Sequence, residues 1–241
     1  MFYFHFILTR MLNFVCPPVC PICRSPTPEA HHICPECFKE LDFITPPQCA
    51  ACGMPFEFDM WAGSLCGACL RKLPRYDMAR ACFVYNEASK KLILPFKHGD
   101  RMELTPLLVK LLEQTGRDVI QESDVVIPVP LHRLRLMKRK YNQAALLAQK
   151  IARKHRKTYL PDTLIRTKHT ASQGHLHAHQ RRRNVAGAFA LKDARKVRGK
   201  NVLLIDDVMT SGATADECAK VLKKTGARKV MVLTVARVCR Q

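Results

Sequence analysis

Apolar and polar positions change rhythm near residue 75. Before it, apolar pieces are short and broken by Pro and Cys; after it, they fall into periodic segments. ARACFVY (79–85) reads as a strand. ASKKLILPFKHG (88–99) has helical spacing ended by Pro95 and Gly99, and MELTPLLVKLLEQTG (102–116) keeps that spacing up to Gly116. DVVIPVPL (124–131), KNVLLI (200–205) and KVMVLTVAR (229–237) are continuous apolar runs rich in β-branched residues, the pattern of strands covered on both faces. YNQAALLAQKIARKH (141–155) and TADECAKVLKKTGA (214–227) are amphipathic helices. The second has Asp216 and Glu217 in its first turn, Lys223 and Lys224 in its last, and Gly226 as its stop. Strand, helix, strand, helix, strand predicts an α/β fold, a parallel sheet flanked by helices. Ligands of such folds sit beyond the carboxyl ends of the strands.

That rule points to NVLLIDDVMTSGAT (201–214). An apolar strand delivers Asp206 and Asp207 to a loop that leads into the helix beginning near Thr214. Loop amides and a helix N-terminus suit an anion, and Gly212 lets backbone approach a phosphate without a side-chain clash. Thr210, Ser211 and Thr214 add hydroxyl donors. An ionised Asp only accepts hydrogen bonds. The matching ligand therefore offers two hydroxyls a few ångströms from a phosphate, as a ribose 5-phosphate does. An apolar strand ending in Asp also occurs in P-loop nucleotidases, but GxxxxGK[ST] is absent from the chain. A helix cap accounts for one acid or one Thr, not for the set.

With 241 residues, 47% hydrophobic and 25% charged, the chain has the length for two small domains or one large one and the balance of a globular protein. Its net charge of +20 is uneven: residues 131–200 carry 20 of the 40 Lys and Arg and only two acids, Asp162 and Asp193. Such a field suits an anionic partner. Aromatic residues, at 7%, are too sparse for a dedicated base-stacking platform. No apolar run is long enough to span a bilayer, so no membrane insertion is expected. Residues 1–15 form an apolar N-terminal segment without the basic flank and cleavage site of a signal peptide.

Nine of the twelve cysteines lie within the first 69 residues. Eight form Cys-x-x-Cys pairs: Cys20/Cys23, Cys34/Cys37, Cys49/Cys52 and Cys66/Cys69. Two thiolates on a tight knuckle can both face one tetrahedral zinc, and a second knuckle completes the site. Residues 16–74 thus read as two consecutive zinc ribbons holding one or two structural zinc ions, with interleaved pairing, first knuckle with third, as the alternative. Cys16 is an awkward substitute ligand before Pro17-Pro18; His31 and His32 read as loop residues; Cys82, Cys218 and Cys239 read as isolated thiols. Cysteine usage without an export signal fits a reducing, cytoplasmic setting.

VLLIDDVMTSGAT (202–214) resembles the PRPP (5-phosphoribosyl 1-diphosphate) loop of type I phosphoribosyltransferases. Residues 12–241 further resemble the ComF family. The CxxC repeats, PVPLHRLRLMKRKYNQA (128–144), ASQGHLHAHQRRRNVAGAFAL (171–191) and the PRPP loop follow in the family's order. The resemblance implies a bacterial protein linked to competence and to imported single-stranded DNA. It places a phosphoribosyltransferase-like domain at 75–241 behind the zinc ribbons. It implies Asp206 and Asp207 as catalytic acids, with PRPP contacts from Val129, Pro130, Leu131 and His132 in a pyrophosphate loop. Asp206, Asp207, Val208, Met209, Thr210, Ser211, Gly212, Ala213 and Thr214 complete those contacts, and Mg²⁺ arrives with the diphosphate.

Arg133, Arg135 and Arg139, with Arg181, Arg182 and Arg183 on a mobile loop at 167–184, are candidate diphosphate or DNA contacts. Where the family shows Arg-Gly-Phe-Asn-Gln, this chain has Arg139-Lys140-Tyr141-Asn142-Gln143, which keeps the charge and loses the glycine. His169, His175, His177 and His179 read as polar loop residues rather than a metal tract, and Lys97 and His98 as helix-end cations or ligand contacts. The implied activity is phosphoribosyl transfer to an acceptor the sequence does not name. The alternative is a non-catalytic accessory protein that binds single-stranded DNA and senses PRPP, with the ribbons docking a helicase or translocase.

Overall fold

The structure, a computed structural model, describes residues 17–99, 101–139, 141–168 and 178–239. Its centre is a parallel sheet of β1 (Met78–Val84), β2 (Val125–Pro128), β3 (Thr158–Tyr159), β6 (Asn201–Met209) and β7 (Lys229–Arg237), ordered β1-β7-β6-β2-β3. The helices are α1 (Pro35–Lys39), α2 (Gly67–Arg71), α3 (Glu87–His98), α4 (Thr105–Thr115), α5 (Arg117–Glu122), α6 (Arg133–Arg139), α7 (Gln143–Lys154), α8 (Ala178–Val185) and α9 (Ala213–Lys224). A separate antiparallel pair, β4 (Leu164–Arg166) with β5 (Phe189–Leu191), combines with α8 into a hood. Among the described residues no helix is long and apolar enough to cross a membrane.

Strand alternation divides the core. Leu203, Ile205, Met231 and Leu233 pack with Leu92, Phe96, Leu108, Leu112, Leu147 and Ile151 of α3, α4 and α7. Val202, Leu204, Val230 and Val232 face the other way, onto Cys218, Ala219 and Leu222 of α9, Leu164 and Phe189 of the hood, and Cys49, Cys52 and Cys69 of the second cysteine unit. Burial on both faces is why Val202–Ile205 and Val230–Leu233 are apolar without a break.

Three elements differ from the sequence pattern. The strand expected at 200–205 continues to Met209, because β7 runs beside it as far as the Met209–Arg237 pair. Helix α3 passes through Pro95 and ends before Gly99. Proline removes one N–H donor, but buried Ile93 and Phe96 hold the helix on the core. The final turn is also held from outside: Tyr141 Oη donates to the Phe96 carbonyl at 2.9 Å and Gln143 Nε2 to that of Lys97 at 2.9 Å. The helix expected at 102–116 opens as a 3₁₀ turn, Met102–Leu104, before α4.

Candidate functional site

Strand β2 ends at Pro128, opposite Ile205, while β6 continues. Asp206 and Asp207 therefore lie inside a strand that has lost its neighbour on one side. Each carboxylate is fixed by the next backbone amide: Asp207 N–H donates to Asp206 Oδ1 at 2.9 Å, and Val208 N–H to Asp207 Oδ1 at 2.6 Å. Asp207 pairs with Lys97 Nζ from the last turn of α3 at 3.0 Å. Burial and the neighbouring Asp207 charge push the Asp206 carboxyl up to about 7, against the pull of Lys97.

Both acids line a hollow of about 400 Å³. Its walls include Val129, Pro130 and Leu131 after β2, and Val208, Met209, Thr210, Gly212, Ala213 and Thr214 after the acids. Gly212 has φ +73°, the left-handed turn that swings the chain into α9, and no side chain caps that helix's N-terminus. Asn142 locks the opposite wall: its Nδ2 donates to the Val129 carbonyl at 3.1 Å and its Oδ1 accepts from Ala144 N–H at 3.1 Å, capping α7. Lys97, Arg166 and Arg181 supply positive charge, with His98 beside them.

Not every expected residue reaches this hollow. His132 and Arg133 line an adjoining hollow beneath the hood. Ser211 is absent from the walls, though its Oγ is buried without a partner. Arg182 and Arg183 are exposed on α8, and only Arg181 of the triplet lines the site. The side chains of Arg135, Arg139 and His179, and residues 169–177 with His169, His175 and His177, lie outside the described residues, as does Cys16. Arg166, Asn142 and Gln143 were missed as site residues. Arg166 is nearly buried in a three-residue strand, with its guanidinium 5.4 Å from the Phe189 ring centre. An Arg inside an apolar LIR segment was the available signal.

The cysteines gather as consecutive tetrads, Cys20/Cys23/Cys34/Cys37 and Cys49/Cys52/Cys66/Cys69, in each of which all four Sγ atoms lie within 4.8 Å of one another. Zinc held at ~2.3 Å by four thiolates sets S···S edges of about 3.8 Å. Cys23–Cys34 at 3.5 Å and Cys52–Cys66 at 3.6 Å fit that size, and the Cys66 amide donates to Cys49 Sγ at 3.3 Å. Hydrogen bonds from Ser25 pull Cys23 down to about 6, while burial pushes Cys37 up. A divalent ion would hold both as thiolates. The arrangement rules out interleaved knuckles.

Comparison with known proteins agrees with both halves. The family profile of the double zinc ribbon domain matches residues 11–70, and that of the phosphoribosyl transferase domain matches residues 141–240. Competence protein F of Haemophilus influenzae is 35% identical over 178 residues, covering 71% of this chain and 78% of its own length. The chain belongs to the ComF family. A second relative of this ComF-family chain, the DNA utilization protein YhgH of Escherichia coli O157:H7, is 32% identical over 227 residues, 92% of this chain and 97% of that protein. Among solved structures, orotate phosphoribosyltransferase from Aeropyrum pernix overlaps 65% of the ComF-family chain and 80% of its own, at 16% identity and a TM-score of 0.35.

Proposed function

We propose that the chain binds PRPP with Mg²⁺ in the 400 Å³ hollow and serves in DNA utilization or competence, as the names of its relatives say of them. The observation that carries the reading is the placement of Asp206 and Asp207 on the same hollow as the 208–214 loop and the uncapped start of α9. In this reading Asp206 and Asp207 accept the two ribose hydroxyls. The 5-phosphate lies on the loop amides and the Thr210 and Thr214 hydroxyls. The diphosphate lies along Val129–Leu131, with Lys97, Arg166 and Arg181 around it. These donors fit a polyanionic sugar: cations and hydroxyls surround a single acidic pair. Mg²⁺ supplies charge neutralisation on the diphosphate, which holds it better than this cation-rich wall would.

For a transfer reaction, the side chains act by orientation and charge placement rather than by proton transfer. The acids hold the ribose so that its C1 faces the hood, and positive charge builds at C1 beside two carboxylates as the diphosphate leaves. Arg181 and Arg166 hold the departing oxygens, and the hood excludes water.

Calorimetry of PRPP with Mg²⁺ tests the site. Wild-type binding that is lost in Asp206→Asn and Asp207→Asn supports it; equal binding in all three refutes it. Pyrophosphate release with a panel of bases, amines and DNA separates an enzyme from a sensor.

Single-stranded DNA is the proposed second ligand, supported by the 20 basic residues of 131–200 and the exposed Arg182 and Arg183. Phosphate contacts require affinity to fall steeply as salt rises. Affinity indifferent to salt would remove this reading.

A further inference from the structure

The back of the 208–214 loop is linked to the second cysteine unit through three residues outside it, Arg75, Tyr76 and Arg237. Arg75, just past the unit in the chain, donates its backbone N–H to Asp216 Oδ1 at 2.6 Å and its Nη1 to Asp216 Oδ2 at 2.7 Å. Asp216 lies in the first turn of α9, directly behind the loop. Tyr76 is buried against the loop itself: a Cβ on Gly212 would stand 3.3 Å from Tyr76 Oη and 3.2 Å from Met209 Cε. Arg237, buried, donates from Nη1 to the Cys52 carbonyl, while its backbone pairs with Met209 at the mouth of the loop. The unit is itself keyed to β1. Ala79 N–H donates to the Ala51 carbonyl at 2.8 Å, and a Cβ on Gly53 would stand 2.5 Å from the Ala79 carbonyl oxygen.

The first unit and the stretch after it go elsewhere, to β1, α3, α4 and the turn before α4: Ile44 to the Cys82 carbonyl at 2.9 Å, Asn86 to Asp42 at 2.5 Å, Lys91 to Glu40 at 3.1 Å, Lys110 to His32 at 3.1 Å, and Arg101 to the Pro21 carbonyl at 3.1 Å.

We infer that Arg75, Tyr76 and Arg237 are positioning residues for the 208–214 loop, and that metal in the Cys49/Cys52/Cys66/Cys69 tetrad holds them in place. The ligand in this inference rests on the PRPP reading; the brace does not. The physical reason is twofold. Four thiolates on one Zn²⁺ leave two negative charges, which suit a buried guanidinium next to the Cys52 carbonyl. A loop already fixed from behind bears less ordering cost when a phosphate arrives.

The test combines PRPP affinity in Mg²⁺ with amide hydrogen exchange of residues 208–216 in the full chain. Arg75→Ala weakens PRPP binding roughly three- to five-fold, as expected of a part-exposed ion pair. It also speeds exchange in the loop. Arg75→Lys restores part of both, and Arg75→Ala with Asp216→Ala is no worse than Asp216→Ala alone, which also removes the acceptor of the Arg75 backbone N–H. Cys66→Ser speeds loop exchange while α4 amides stay protected; Cys34→Ser leaves the loop unchanged. Loop exchange equal to wild type in both Arg75→Ala and Cys66→Ser overturns the inference. If Cys66→Ser also loses protection in α4, the Arg75 and Asp216 cycle, made with both tetrads intact, decides, and additive losses overturn the brace. If the wild-type chain does not bind PRPP, the exchange arm still decides the brace, and it is the proposed ligand that falls.

Discussion

Lys97 Nζ stands 3.0 Å from Asp207 Oδ2, with the lysine side chain 20% and the aspartate side chain 12% exposed. The strand turns Asp207 toward α3 and Asp206 toward α9, so one lysine serves one acid directly and the other at longer range. Lys97→Met removes the only cation that draws Asp206 down among the causes of its shift. The carboxyl then ionises at higher pH. PRPP affinity followed from about pH 6 to 9 shows the rise with pH displaced upward in the variant. Superimposable profiles would refute a coupling between Lys97 and the acids.

Asp206 itself sets a stability trend of definite sign. Its folded value is raised from 3.8 to about 7, so between those values the folded chain keeps a proton that the unfolded chain has released. Stability from this group therefore falls as pH rises from about 4 to about 7, and is flat above that. Asp206→Asn abolishes the penalty. The expected outcome is a Tm gain over wild type, without ligand, that is larger near pH 8 than near pH 5, together with loss of PRPP binding. A pH-independent Tm difference would contradict it. Stability gained at the expense of binding is the usual mark of a functional acid held in an unfavourable place.

Gly212 is the loop position least tolerant of a side chain. Its φ of +73° costs an L-residue ~1–2 kcal/mol, and a Cβ would press on Met209 Cε at 3.2 Å and Tyr76 Oη at 3.3 Å. Gly212→Ala is expected to lower unfolding free energy in urea by about that amount and to weaken PRPP further, since the loop must shift to relieve the contact. A variant as stable and as tight as wild type would show that the turn is not constrained.

Metal content gives a direct count. Two tetrads of matching size predict two zinc ions per chain by atomic absorption, one after Cys34→Ser and one after Cys66→Ser. Removing both with a chelator lowers Tm, because short ribbons of this kind lack a core of their own. A single ion in the wild-type chain would refute independent sites.

Besides its apolar packing, the hood is tied to α9 by an acid. Glu217 Oε1 accepts from Gly187 N–H at 2.9 Å and lies 3.3 Å from Lys220 Nζ. Glu217→Ala takes the acceptor from that amide, and because Gly187 is exposed to water the cost to local opening is about 1 kcal/mol. Amide exchange at Gly187 should accelerate severalfold while β6 is unaffected.

What was readable in the sequence was whatever is settled within one element. Val202–Ile205 and Val230–Leu233 are apolar at every position because both faces are covered, and their apolar runs locate the sheet centre. The consecutive cysteine knuckles and the acid pair before a small-residue loop were equally plain. The hood was not: β4 and β5 have three residues each, too few for a period, and their pairing joins residues 23 to 27 apart. The end of β6 was also hidden, since it depends on β7 lying alongside. Pro95 misled because Tyr141 and Gln143, far along the chain, hold the carbonyls of the helix end. Arg166 joined the site only through tertiary packing.

Edge strand β1 has a further consequence. Its outer side is occupied by the stretch after the first tetrad: Ile44 N–H donates to the Cys82 carbonyl at 2.9 Å, Val84 N–H to that of Asp42 at 2.8 Å, and Phe43 bridges Phe83. An uncovered parallel edge is a template for adding foreign strands. The cysteine-rich half therefore doubles as a selvedge that keeps the sheet from fraying into its neighbours. Cutting it away would open that edge to pairing with other chains.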